Sequence, residues 1–192
     1  MFQLPEHDRR LLLGIARDSV QAHLSERSLR RTDIQSGIAS EPHGVFVSIH
    51  HSSELRGCIG NVMPDQPLYR TTARCAVAAA TSDPRFPSVT LQELPQVSFE
   101  LSVLAIPEPV NNVDEIEVGT HGLIVSKGSA RGLLLPQVAT QFRWNRNQFL
   151  AETCVKAGLH PNAWRDGATI HCFTADVFGE QTTHQLSQPA AS

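Results

Sequence analysis

The sequence predicts an α+β protein in which a β-hairpin followed by a helix occurs twice. Two pairs of apolar, β-branched runs are each joined by a short polar stretch, which is typical of hairpins. The first pair spans residues 44–60 and the second spans residues 122–135. A helical pattern follows each pair, and a cleanly alternating strand lies between them over residues 97–106. This order of elements indicates an approximate internal duplication.

The first half begins with a helix predicted over residues 5–27, where apolar side chains recur at spacings near 3.6. Residues 32–43 have a loop-like composition. After the first hairpin, Pro67 is well placed to open a second helix. Its several alanines would let it lie close against the hairpin. Pro84 disfavours helical geometry in the residue before it, so we expect this helix to end near residue 81.

The second half contains fewer helical signals. We expect residues 107–112 to form a loop and Pro136 to end the second hairpin. Asn145, followed three residues later by a glutamine, resembles a capping box that opens a helix. Gly158 is a natural stop for that helix. A final single strand is predicted over residues 168–178.

Composition limits both the size and the class of the protein. The 192 residues are 41% hydrophobic and 18% charged, with a net charge of −3. We predict a single domain over residues 1–180 with lobes at about 1–90 and 91–180, followed by a disordered tail over 181–192. No basic footprint for nucleic acid and no run of about 20 apolar residues for a membrane span is present. The N-terminus lacks the apolar centre of a signal peptide, which favours the cytoplasm.

The four cysteines lack the CxxC spacing of common zinc and redox motifs. In a reducing compartment they are expected to be free thiols. Cys75, Cys154 and Cys172 lie in apolar patterns and are interpreted as small core residues. The nine histidines show no HExxH or related spacing, so we predict no metal site. Glycine-rich phosphate motifs are also absent, and we predict no cofactor.

The most informative stretch is the hexapeptide Leu55-Arg56-Gly57-Cys58-Ile59-Gly60, on the second strand of the first hairpin. Alternation along a strand predicts Leu55 and Ile59 on one face as apolar anchors. Arg56 and Cys58 would then share the other face, where a guanidinium beside a thiol favours the thiolate. Gly57 leaves a gap that a backbone or a ligand could approach.

This hexapeptide, together with other blocks, resembles the AMMECR-type (AMME chromosomal region) domain family. The blocks follow the family's order, and the resemblance covers about residues 5–180. The other blocks are Asp83-Pro84-Arg85-Phe86, Ser102-Val103-Leu104, residues 119–125, residues 132–139, and residues 156–159 followed by Trp164.

The resemblance implies an α+β fold of two β₃α₂-like repeats that share one barrel-like mixed sheet, with a cleft between two lobes. It supplies no established reaction, substrate or cofactor. Bacterial and archaeal members are grouped with a Memo-like protein and a radical-SAM enzyme, which the resemblance therefore names as partners. The chain has no CxxxCxxC and would not itself hold an iron–sulfur cluster. The oligomeric state stays open.

Cys58 is the candidate nucleophile, with Arg56 as the group that favours its thiolate. Such a cysteine also needs a base. The candidate bases are His50, His51 and His121. A turn just after the two adjacent histidines would place His50 nearer Leu55 than Cys58, which weakens it. His121 could reach Cys58 if the two hairpins meet, and the alternative for Cys58 is a packing role.

Arg56 has two further interpretations. With Arg85 it could form an anion-binding pocket, because a guanidinium is a planar fork suited to carboxylate or phosphate. Alternatively, Arg56 pairs with Asp83 or Glu54 and holds the following loop against the hairpin. The predicted binding residues are Leu55, Arg56, Gly57, Cys58, Ile59, Gly60, Asp83, Arg85 and Phe86.

Three functions follow from these candidates. The favoured one is a binding or accessory component that acts with Memo-like and radical-SAM partners through a cleft lined by the hexapeptide. The second is a small enzyme in which Cys58 is the nucleophile and Arg56 orients an anionic group. The third is a structural subunit with a fully buried hexapeptide. The first is favoured because no base–nucleophile spacing can be read from the chain.

Overall fold

The computed structural model describes residues 2–28, 34–63 and 66–180, and the predicted tail over 181–192 lies outside them. The described chain combines helices with antiparallel sheets, which confirms the predicted α+β class. It divides into two compact units. One contains Leu4–Val103 and resumes at Val177, and the other contains Leu104–Asp176. The single domain with a cleft between two lobes stays a prediction.

The elements have the following bounds. The helices are α1 (Glu6–Leu24), α2 (Leu68–Thr81), α3 (Pro136–Gln141) and α4 (Arg146–Lys156). The strands are β1 (Val45–His51), β2 (Glu54–Asn61), β3 (Val97–Leu104), β4 (Glu108–Pro109), β5 (Gly122–Lys127), β6 (Ala130–Leu134), β7 (Thr169–Phe173) and β8 (Ala175–Gly179). Of the helices in the described residues, none is both long and apolar enough to cross a membrane.

The first sheet has the strand order β2-β1-β3-β8, so β1 lies between β2 and β3 and pairs antiparallel with both. On one face of β1, Val45, Val47 and Ile49 are fully buried. Helix α2 packs against β1 and β2, and α1 packs against α2. The predicted packing of the alanine-rich helix on the hairpin is therefore confirmed, because small side chains let its backbone approach the sheet closely.

The first hairpin is closed by a two-residue turn in which Ser52 and Ser53 both have positive φ, at 50° and 73°. Two such residues match the right-handed twist of the flanking strands. The register then slips by one residue at Arg56, since Ile49 faces Gly57 whereas His50 faces Leu55. This β-bulge breaks the alternation of β2.

The bulge overturns the predicted arrangement of the hexapeptide faces. Leu55 does not share a face with Ile59 as an apolar anchor; it is 39% exposed and lies opposite His50. The extra residue, Arg56, is unpaired in the ladder and does not line up with Cys58. Its guanidinium donates to Glu93 and to the carbonyls of Pro87 and Ser88, and the expected proximity of this group to the thiol stays a prediction.

The second sheet has the strand order β4-β7-β5-β6, with β5 paired antiparallel to β6 and β7. Helix α4 packs on the β5–β6 hairpin. Its N-terminus carries the predicted capping box between Asn145 and Gln148. The core of this unit includes Leu123, Phe149 and Leu150, each fully buried.

The two sheets repeat one another in topology. In each, the first strand of a hairpin also pairs with a third strand, and a fourth strand lies beyond that one. Each hairpin carries an Arg-Gly pair on its second strand, Arg56-Gly57 in β2 and Arg131-Gly132 in β6. A Cβ on Gly57 would lie 2.2 Å from the Ala79 carbonyl oxygen of α2. One on Gly132 would lie 2.3 Å from the backbone nitrogen that follows α4.

These matches support the duplication but not the single barrel-like sheet. The described strands form two separate four-stranded sheets and no closed barrel. Both glycines have the same physical role: the absence of a side chain lets the end of a helix contact the strand backbone. Cys58 follows the glycine in β2, whereas Leu133 follows it in β6. Of the two repeats, only the first therefore has a cysteine at this position.

Several predicted boundaries differ from the structure. The first helix ends at Leu24 rather than at residue 27, and the strand predicted over 97–106 ends at Leu104. The final strand is two strands, because β7 belongs to the second sheet and β8 to the first. The carbonyl of Thr174, between them, accepts a hydrogen bond from the Ala105 amide. The predicted loop over 107–112 contains the short strand β4. Pro136 opens α3 as well as following β6, since its missing N–H is not needed in a first helical turn.

Gly57→Ala and Gly14→Ala should change stability in opposite directions. At Gly57 the added methyl group would overlap a backbone carbonyl, so we expect a loss of about 2 kcal/mol or more. Gly14 lies in α1 with open space around it, and alanine there should gain about 0.5–1 kcal/mol. Urea unfolding followed by circular dichroism measures both free energies. Equal effects at the two positions would contradict the close helix–strand approach.

Candidate functional site

Cys58 lies in β2, at the edge of the first sheet, and is half-buried. It pairs with Ser48 of β1, which in turn pairs with Glu100 of β3. The three side chains therefore form a row across the sheet, on the face opposite α2. The Ser48 hydroxyl donates a hydrogen bond to the Cys58 sulfur, with an Oγ–Sγ distance of 3.3 Å. Ser48 is the direct neighbour of the thiol.

The backbone of Cys58 is held by the loop that follows α2. Its N–H donates to Asp83 Oδ2 at 2.9 Å, and its carbonyl accepts from Arg85 Nη2 at 3.3 Å. Because β2 is an edge strand, these groups have no neighbouring strand to pair with. The two side chains take the place of that strand and fix the position of the thiol.

Asp83 and Arg85 also bind each other. Arg85 donates from Nε to Oδ1 at 3.0 Å and from Nη2 to Oδ2 at 2.7 Å. Asp83 is 5% exposed, and the guanidinium of Arg85 holds its pKa well below the usual range although burial opposes the shift. The same hydrogen bonds raise the pKa of Arg85, and the Cys58 side chain adds to that rise. The Arg85 guanidinium also lies over the Phe86 ring, with Cζ 5.4 Å from the ring centroid.

Arg56 holds a second point of the same loop. Its Nε donates to Glu93 Oε1 at 2.6 Å, and its Nη2 donates to Oε2 at 3.1 Å. Its remaining donors reach the carbonyls of Pro87 and Ser88. The hydrogen bond from Arg56 lowers the pKa of Glu93. The contacts favour the brace over the anion pocket, with Glu93 in place of the expected Asp83 or Glu54.

The sequence contains a pattern at Glu93 that predicts a fixed position for this carboxylate, although Glu93 was not among the predicted site residues. Thr90 and Glu93 have the Thr-x-x-Glu spacing of a capping box, ahead of the short helix Leu94–Gln96. The Thr90 hydroxyl accepts from the Glu93 amide at 3.3 Å, so the loop already presents this carboxylate at a fixed position. That Arg56 would be its partner could not be read from the spacing, because 37 residues separate the two.

The other predicted site residues have different surroundings. Gly57 and Ile59 lie opposite Ile49 and Val47, on the face of β1 that α2 covers. The backbone of Gly60 lies beneath the Phe46 ring. His121 belongs to the other unit, where its Nδ1 accepts from the Glu117 amide at 3.1 Å. An approach of His121 to Cys58 stays a prediction.

His50 lies on the same face as Cys58, and the register confirms that it pairs with Leu55. Its Nε2 is 3.9 Å from Glu100 Oε1. That nitrogen is buried and makes no hydrogen bond. The alternation of β1 and β3 could have placed Ser48, His50 and Glu100 on one polar face, but the pairing of Ser48 with Cys58 required the register.

The remaining cysteines differ from Cys58 in their surroundings. Cys75 and Cys154 are buried, as predicted, and Cys172 is half-buried against the second core. Burial raises the pKa of each of these three thiols. Among the described residues, no group of three or more histidine, cysteine or carboxylate side chains is arranged to hold a metal ion.

Comparison with known proteins places this geometry in a family. The family model described as AMMECR1 matches residues 13–178. A protein of Methanosarcina barkeri is 41% identical over 187 residues, covering 93% of each chain. A protein of Pyrococcus furiosus is 40% identical, covering 94% of this chain and 92% of its own. The crystal structure of an uncharacterized protein from Pyrococcus horikoshii superposes with a TM-score of 0.84 at 37% identity, covering 94% and 95% of the two chains.

Asp83→Asn should lower stability at neutral pH and make it less sensitive to acid. The pKa of Asp83 is lowered on folding, so its contribution is present above the unfolded value of about 3.9 and is lost as pH falls below it. We expect the variant to lose about 2–3 kcal/mol at pH 7, measured by urea unfolding. The loss should shrink steadily as the pH falls below about 4.

Asp114→Asn is the matched control, because Asp114 forms an exposed ion pair with Arg146 at 2.7 Å. An exposed pair contributes less than about 1 kcal/mol. If Asp83→Asn behaved like this control at every pH, the hydrogen bonds of Asp83 to the Cys58 amide and to Arg85 would not stabilise the fold.

Cys58 should be alkylated before the other three cysteines. It is half-buried at a sheet edge, whereas burial and a raised pKa protect Cys75 and Cys154. Cys172 is also half-buried, but desolvation raises the pKa of its thiol, which lowers its thiolate fraction. Iodoacetamide labelling of the native protein at neutral pH, followed by peptide mass mapping, gives the four rates. In urea the four cysteines should react at similar rates, because unfolding exposes all of their thiols. A native Cys58 that reacts no faster than Cys75 would contradict its accessibility.

Proposed function

The chain belongs to the AMMECR1 family, and we propose that it is a binding or accessory component whose recognition surface is the sheet face around Cys58. This surface, here termed the Cys58 face, consists of Ser48, His50, Cys58 and Glu100. The main support for this proposal is that the charged groups around the hexapeptide are already paired with one another. Arg56 is bound to Glu93, and Arg85 is bound to Asp83.

This internal pairing argues against an open anion pocket. A guanidinium that already donates to a carboxylate and to two carbonyls has few donors left for a ligand. Arg56 is in that state, with its side chain 16% exposed. Arg85 is more exposed but is bound through two nitrogens to Asp83. The loop is thus a frame, and the groups left for recognition lie on the Cys58 face.

A purely structural role fits less well. It requires a fully buried hexapeptide, but Leu55 is 39% exposed and Cys58 is half-buried. The Glu100 side chain retains 43% of its surface, and that of His50 retains 27%. The exposed polar side chains of this face can form hydrogen bonds and ion pairs with a partner, while the loop that carries Asp83 and Arg85 stays fixed.

The grouping of related chains with a Memo-like protein and a radical-SAM enzyme supplies the partners to test. Each would be purified from the same organism as this chain and titrated with it by isothermal calorimetry. Glu100→Arg should weaken the complex about tenfold or more, because it reverses the charge of an exposed side chain on the Cys58 face. Glu152→Arg reverses an exposed charge on α4 and is the matched control.

Two outcomes would overturn the proposal. One is the absence of heat and of co-elution with both candidate partners. The other is a complex that Glu100→Arg and Glu152→Arg weaken equally. Thermal unfolding of both variants, compared with the unmodified chain, separates a lost contact from a lost fold.

A further inference from the structure

The edge of the second sheet has the same backbone positions as the edge of the first. β6 is an edge strand of its sheet, as β2 is of its own. Residues 131–133 of β6 take the places that residues 56–58 have in β2, and in both runs the middle glycine contacts the end of a helix. The partners that close one edge therefore indicate what the other edge requires.

The register of the second hairpin defines which backbone groups of β6 point away from β5. Lys127 pairs with Ala130 across a two-residue turn, and the pairing continues without a slip to Leu134. The residues that flank such a turn exchange both of their hydrogen bonds, and bonded pairs then alternate with unbonded ones. The N–H and carbonyl groups of Arg131 and Leu133 are therefore directed outward from the sheet.

In the first repeat the equivalent groups all have internal partners. The Cys58 N–H donates to Asp83, and the Cys58 carbonyl accepts from Arg85. The Arg56 guanidinium donates to both carboxylate oxygens of Glu93. The loop after α2 thus supplies a carboxylate for the arginine, and an acceptor and a donor for the backbone at the edge.

In the second repeat these partners are absent from the part of the chain that the structure describes. The outward backbone groups of Arg131 and Leu133 make no hydrogen bond there. The Arg131 side chain is exposed and forms no ion pair with a described residue. Unpaired backbone groups in a row on an edge strand are a template for a further strand.

We propose that β6 binds an extended peptide segment of a partner protein, which adds a strand to the second sheet and presents an acidic side chain to Arg131. The peptide backbone supplies donors and acceptors to Arg131 and Leu133. Its aspartate or glutamate supplies the carboxylate that Glu93 supplies to Arg56 in the first repeat. This surface goes beyond the proposed function, since it contains none of the residues of the Cys58 face.

The outward residues also predict the sequence pattern of the peptide. Arg131 and Leu133 are two residues apart, so their side chains share one face of β6, and Leu133 is half-buried. The strand pairs within this sheet are antiparallel, and we expect the same of the added strand. The peptide residue opposite Leu133 then precedes the one opposite Arg131 by two positions. The matching pattern is apolar-x-acidic.

A second copy of β6 matches this edge less well. The strand has the sequence Ala130-Arg131-Gly132-Leu133-Leu134 and contains no acidic residue. Pairing two copies would leave both arginines without a carboxylate and would bring like charges to one edge. Charge complementarity therefore favours an acidic segment of a different protein.

The test adds the peptide Thr-Thr-Val-Thr-Glu-Thr-Thr, acetylated and amidated at its ends, to the full ¹⁵N-labelled chain. Saturable NMR shifts should be centred on the amides of Arg131 and Leu133. A peptide with lysine in place of glutamate should bind about fivefold or more weakly, because a repulsion replaces an exposed ion pair. Arg131→Glu should reverse this preference. Arg143→Glu, which reverses an exposed charge on the loop between α3 and α4, is the matched control.

A second measurement tests the backbone hydrogen bonds without changing the protein. The N–H of the peptide glutamate would point toward β6, whereas that of the following threonine would point away. N-methylation of the glutamate should abolish the shifts, and N-methylation of that threonine should leave most of the affinity. Thermal unfolding confirms that each protein variant is folded before its affinity is compared.

Three results would overturn the inference. One is the absence of saturable shifts at the β6 amides with millimolar peptide. Another is an equal effect of Arg131→Glu and Arg143→Glu, or of the two N-methylations. The third is a dimer in analytical ultracentrifugation that Arg131→Glu dissociates, because a second copy would then occupy the edge. A monomer that binds the glutamate peptide is the expected result.

Discussion

The site depends on how an edge strand satisfies its outward-facing backbone groups. β2 has a neighbour on one side only, so the N–H and carbonyl of Cys58 need partners from elsewhere. Asp83 and Arg85 supply them and are themselves joined by two hydrogen bonds. The contact that closes the edge of the sheet is therefore also the contact that fixes the thiol.

The internal duplication gives both hairpins the same contact between the second strand and a helix. Both hairpins place a glycine where the end of a helix meets the second strand, and both place an arginine just before it. In β2 the next residue is Cys58, paired with Ser48; in β6 it is Leu133, paired with Ile124. The repeated backbone solution carries polar chemistry in one copy and apolar packing in the other.

The bulge at Arg56 decides how the charged groups are used. Without it, the guanidinium would lie beside the thiol and could act on a ligand. With it, Arg56 turns to Glu93 and to two loop carbonyls, which braces the segment that carries Asp83 and Arg85. Arg85 instead donates to the Cys58 carbonyl and interacts electrostatically with the Cys58 side chain. The polar side chains that stay available are those that β1 and β3 contribute to the Cys58 face.

Local periodicity and turn chemistry were enough to predict the α+β class, both hairpins, the helix that packs on the first of them and the capping box at Asn145. The sequence also identified Cys58, Asp83 and Arg85 as residues of interest through the family resemblance. The tertiary structure alone decided that the sheets are two, and that residues 168–178 cross from one to the other. It also decided that Glu93 is the partner of Arg56 and that Ser48, His50 and Glu100 lie on the same sheet face as the thiol. These contacts join residues distant in the chain and depend on strand register, which a one-residue bulge changes and which no local pattern records.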